Sequence, residues 1–93
     1  MEINYSEDSP VDPNLLSFVI RSTYRANVLK AIGHSIKMPK EIAEDAGIRL
    51  NHISTVLRDL KEHDLVVCLN PNNRKGRLYR LTDLGLLVLE ILV

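Results

Sequence analysis

Apolar residues recur at helical spacing through most of the chain, and the pattern shortens to strand-length runs only between residues 65 and 81. Ile53, Val56, Leu57 and Leu60 mark one face of a helix over residues 51–63. Ile42, Ala43 and Ala46 mark the face of a shorter helix before it, which Pro39 opens at a first position where no backbone N–H is needed. Gly47, between the two, is free to take a left-handed turn, so the helices are predicted to pack across one another. Upstream, Asp12 and Pro13 read as a cap and a first-turn proline. The helix they open carries Leu15, Leu16, Phe18, Val19 and Ile20, then Tyr24, Val28, Leu29 and Ile32 as a core face, ending near Gly33. Ser22 and Thr23 are places where it can break; one long helix, bent there, is the expectation. Ile36 and Lys37 suit a tiny strand, and residues 65–69 and 77–81 the two strands of a hairpin. Asn70, Pro71, Asn72, Asn73 and Gly76 are turn formers, which predicts a flexible tip holding Arg74 and Lys75.

Residues 82–93 form a last helix that is apolar all round, with Asp83 and Glu90 as its charges. A chain of 93 residues makes one small domain that buries only about 60% of its unfolded surface, so it struggles to cover such a helix alone. Two readings stand: burial in the domain's own core, or a contact with a second copy through Leu15, Leu16, Phe18, Val19, Leu86, Leu89, Leu92 and Val93. Residues 1–11 are polar and acidic and read as a flexible segment, leaving 12–93 as the domain.

Stepping about 100° per residue from Ile53 places Asn51, Thr55, Arg58 and Glu62 opposite the buried stripe, with His52 and Ser54 at its flanks. These side chains can read base edges, although most such faces are the solvated side of an amphipathic helix.

GIRLNHISTVLRDLKEHDLV resembles the recognition-helix segment of MarR-type and ArsR-type winged-helix transcriptional regulators, through Gly47, Ile48, Ile53, Ser54, Leu57, Leu60, Leu65 and Val66. RKGRLYRLTDLG is similar to the second half of the wing and its exit into the last helix, through Arg77, Tyr79, Leu81, Thr82 and Gly85. The resemblance covers roughly residues 22–85 and is closest to small archaeal-type regulators. It implies a mainly α fold with a small β-hairpin (α+β): a winged helix-turn-helix with a three-helix core, a two-stranded wing and a C-terminal helix. It also implies a homodimer joined through terminal helices. Two departures stand out. Arg49 replaces a frequent capping Ser or Thr, which makes Asn51 the better cap candidate, and Asp64 replaces a common glycine at a place where Asp tolerates a left-handed backbone.

The formal net charge is zero, which argues weakly against a nucleic-acid binder until its distribution is seen. Residues 1–14 hold Glu2, Glu7, Asp8 and Asp12 with no Lys or Arg. Residues 49–80 hold Arg49, Arg58, Lys61, Arg74, Lys75, Arg77 and Arg80 against Asp59, Glu62 and Asp64. A basic head is thus balanced by an acidic start. The expected DNA contacts are Arg49, Asn51, His52, Ser54, Thr55 and Arg58 on the recognition helix and Arg74, Lys75 and Arg77 on the wing. Asn51 suits adenine, Arg58 guanine or a phosphate, and the Thr55 methyl thymine. A basic hairpin tip also serves solubility alone.

Cys68 is the single cysteine, so an internal disulfide is excluded, and its place among Val66, Val67 and Leu69 suggests a packed strand residue. His34, His52 and His63 lack ligand spacing, and no nucleophile elbow, phosphate-cradling glycine loop or carboxylate pair organises Ser, His and Asp. Neither an enzyme, a cofactor, a metal site nor a small-molecule ligand is expected. With no signal-peptide pattern, and an apolar C-terminal run far shorter than the roughly 20 residues of a membrane span, a soluble cytoplasmic protein is expected. The partners expected are double-stranded DNA and a second copy of the chain, which makes a homodimeric repressor the leading reading. The alternative is a winged-helix protein–protein interaction module in which the basic face is incidental.

Overall fold

The computed structural model describes residues 9–93, and these form a mainly helical α+β arrangement. In chain order the elements are α1 (Pro13–Ile20), α2 (Thr23–Ile32), α3 (Pro39–Ala46), α4 (Leu50–Glu62), β1 (Val66–Cys68), β2 (Tyr79–Leu81) and α5 (Asp83–Leu92). Helix α2 is the hub. Its Ala26, Val28, Leu29 and Ile32 are buried, and it packs against α1, α3, α4 and α5. Val11 is only 1% exposed and belongs to the same core, so the packed part of the chain starts inside the segment expected to be loose; residues 1–8 of that segment lie outside the described residues.

The expected long helix is two helices. Asp12 caps the first through Oδ1, which accepts the Asn14 N–H at 2.8 Å. Ser22 then takes an extended backbone, and its hydroxyl accepts the N–H of Arg25, replacing helical bonds lost at the break. The turn brings Arg25 back onto α1, where its Nη1 donates to the Phe18 carbonyl at 2.7 Å and its guanidinium lies 3.8 Å from the Phe18 ring centroid. Tyr24, expected in the core face, is 44% exposed in the first turn of α2.

Helix α3 opens on Pro39 with the Met38 N–H donating to the Glu41 carboxylate, and ends at Gly47, whose φ of 70° is left-handed as its place in the sequence predicts. Asn51 is not the cap of α4. The helix starts at Leu50, where the Arg49 carbonyl accepts the His52 N–H at 2.9 Å, and Arg49 at the cap position makes no side-chain cap bond because a guanidinium has no acceptor. The amide of Asn51 is therefore not spent on the backbone. Asp64 ends the helix in a left-handed conformation, φ 59°, and turns the chain into β1.

Strands β1 and β2 pair antiparallel with Val66 opposite Leu81, Val67 opposite Arg80 and Cys68 opposite Tyr79. Each is three residues long, shorter than the runs predicted. The expected tiny strand is reduced to one residue, Lys37, which exchanges backbone hydrogen bonds with Tyr79 on the outer side of β2. Thr82 then caps α5, accepting the Gly85 N–H while its own hydroxyl donates to the Asp64 carbonyl, which ties the start of α5 to the end of α4. Gly85 is the close-approach point of this join: a Cβ there would stand 2.1 Å from the Leu65 carbonyl oxygen.

Candidate nucleic-acid interface

Burial of Ile53, Val56, Leu57 and Leu60 against the core turns the opposite side of α4 outward. Arg49, Asn51, His52, Ser54, Thr55 and Arg58 are all exposed, as are Arg74, Lys75 and Arg77 of the hairpin tip. The structure brings part of this set together. Between α4 and the hairpin runs an open groove of about 490 Å³, with Ser54, Thr55 and Arg58 on one wall, Arg74 and Arg77 on the other, and Pro39, Leu57 and Tyr79 on its floor. Arg49, Asn51, His52 and Lys75 do not line it; they flank it.

Lys61 lines the groove as well; the sequence counts it in the basic head but not among the expected DNA contacts. Its signal was there: it stands three residues after Arg58 and seven after Ser54, the spacing of one helix face. Four cations, Arg58, Lys61, Arg74 and Arg77, thus line a cleft to which the described residues contribute no carboxylate. The nearest compensation is Asp59, with Oδ1 4.0 Å from Arg58 Nε, a distance and exposure at which an ion pair is worth little.

The hairpin tip has internal support where the sequence pointed to a flexible loop. Asn70 Oδ1 accepts the Leu78 N–H at 2.8 Å, and its Nδ2 donates to the Gly76 carbonyl at 3.0 Å. Arg77 Nε donates to the Asn73 carbonyl at 2.7 Å, which leaves the outer nitrogens of its guanidinium to meet an anion. On the other flank of α4 the His52 ring lies 6.2 Å, centroid to centroid, from that of Tyr24. Leu50, in the leading turn, is 57% exposed and was also missed in the sequence.

The residues expected at a contact between copies divide. Leu16, Val19 and Leu92 are buried in the chain's own core, at 7%, 0% and 2% exposure, and are unavailable unless that core opens. Phe18 is half-buried and held on both ring faces, with Arg25 over one and His63 stacked on the other at 3.7 Å, since two groups that close to the centroid cannot share a face. Leu15, Leu86 and Leu89 are half-buried, and Val93 is exposed. The last helix therefore packs on its own domain through Val88, Ile91 and Leu92, while Leu87 is 37% exposed and Val93, just past its end, is 64% exposed.

Cys68 is buried in β1 with Sγ 3.6 Å from Asn70 Oδ1. Among the described residues no cluster of His, Cys, Asp or Glu could hold a metal ion, and no helix is long and apolar enough to cross a membrane. What the groove can do chemically is receive a chain of phosphates while the adjoining helix face meets a polar surface. No family model, curated protein or solved structure matches the chain.

Proposed function

We propose that the chain is a sequence-specific DNA-binding transcriptional regulator built as a winged helix-turn-helix, with α4 as the recognition helix and the hairpin as the wing. The observation that carries this reading is the groove between α4 and the hairpin, lined by four cations and by no carboxylate among the described residues. Charge of one sign on both walls suits a polyanion, whose condensed cations are released when Lys and Arg neutralise its phosphates. Asn51 beside it and Ser54 and Thr55 on its wall are exposed and have no part in the core, so the helix can enter a major groove while the wing meets the backbone. The protein acts in the cytoplasm as a homodimer that occludes a promoter. Leu87, Val93 and the half-buried Leu84, Leu86 and Leu89 support the assembly. Two-fold symmetry would set the recognition helices about 34 Å apart on a pseudo-palindromic site.

Selection of bound sequences from random duplex DNA tests the proposal. A palindromic site is expected, and Asn51→Ala and Arg58→Ala should each cost about 1–3 kcal/mol of discrimination at particular base pairs. Failure to enrich any sequence, with binding no tighter than to bulk DNA, would favour a protein-interaction module instead.

A further inference from the structure

Leu50 is more exposed, at 57%, than any other large apolar side chain within a helix of the described residues, and it takes no part in the core. It stands in the first turn of α4, next to Asn51 and four and eight residues before Ser54 and Arg58, so all three share a row along the helix. Ser54 and Arg58 line the cationic groove, and Leu50 continues that row past the groove's end. If the proposed DNA-binding function holds, the leading turn of α4 is the part that reaches base edges. There the natural apolar counterpart of an isobutyl group is the C5 methyl of a pyrimidine, because the other functional groups that the bases present in the major groove are hydrogen-bond donors or acceptors. We infer that Leu50 is a specificity-determining residue that reads a pyrimidine C5 methyl.

The methyl belongs either to thymine or to a methylated cytosine, and base analogues tell them apart. Binding would be measured on the best selected duplex, on duplexes with each thymine replaced in turn by uracil, and on duplexes with each cytosine replaced by 5-methylcytosine. Removing one contacted methyl should weaken binding by about four-fold, the worth of one buried methyl-sized group. Leu50→Ala should bind the parent duplex more weakly and lose the response to that substitution, while keeping the preferences set at other base pairs. Its thermal midpoint serves as the control, since an exposed side chain contributes little to folding. Loss on uracil substitution assigns the contact to thymine. A gain on 5-methylcytosine with no loss on uracil assigns it to methylated cytosine. Equal binding to all analogues, or a Leu50→Ala variant that still responds in full, overturns the inference while leaving DNA recognition intact; absence of any specific duplex removes the function itself.

Discussion

Asn70 and Leu78 face each other across the neck of the hairpin, where the side-chain Oδ1 of one accepts the backbone N–H of the other at 2.8 Å. The ladder of β1 and β2 has just run out at this point: the last backbone bond, from Leu69 N–H to the Leu78 carbonyl, leaves the Leu78 N–H without a strand partner. The Asn70 amide supplies that acceptor, and its own N–H group secures the Gly76 carbonyl. The placement of Arg74 and Arg77 against α4 thus depends on a neutral side chain at the base of the tip.

Asn70→Ala should accordingly cost about 1–2 kcal/mol, because a partly buried backbone N–H loses its partner. Amide exchange at Leu78 should accelerate, and DNA affinity should fall with the base preference preserved. Unchanged exchange at Leu78 would show that the tip holds without Asn70.

Replacing Arg74 and Lys75 together by Ala should weaken binding to all duplexes alike. Both side chains are exposed at the tip. If each dimer loses two to four phosphate contacts, the slope of log affinity against log salt becomes shallower by roughly 2 to 4. A salt titration of parent and variant decides it; identical slopes would take the wing out of the interface.

Gly85→Ala is expected to be the most damaging small substitution. The new Cβ would meet the Leu65 backbone carbonyl, which no side-chain rotation can relieve, so the joint between α4 and α5 must shift. A cost of at least about 2 kcal/mol follows, or roughly 10 °C or more in Tm for a chain of this length. A thermal melt within a few degrees of the parent would mean that α5 moves away freely.

For assembly, Leu87→Lys and Leu92→Lys should behave differently. Leu87 is 37% exposed at the edge of the buried stripe of α5, whereas Leu92 is 2% exposed in the core. A lysine at 87 should convert a dimer into a folded monomer, since only the contact between copies must take the charge; at 92 it should unfold the chain. Sedimentation equilibrium with circular dichroism separates these outcomes. A parent that is monomeric at roughly tens of micromolar, or a Leu87→Lys variant that remains dimeric, would remove this face from the assembly.

Helical periodicity, the capping pair Asp12 and Pro13 and the turn at Gly47 were all legible in the order of residues, because each is set by neighbours within one helical turn. So was the outward face of α4, which follows from where Ile53, Val56, Leu57 and Leu60 must go. What lay beyond the sequence depended on contacts between distant segments. Whether Ser22 breaks the first helix is decided by what α1 gains in folding back, including Arg25 over Phe18 and His63 beneath it, and local propensity allowed either outcome. A run such as residues 84–93 is apolar on every side, so periodicity cannot choose its buried stripe; the approach of Leu65 to Gly85 and the burial of Val88, Ile91 and Leu92 make that choice. Lys61 joined the site for the same reason, since helical spacing places it on a face but only the packing of the hairpin against α4 turns that face into a groove.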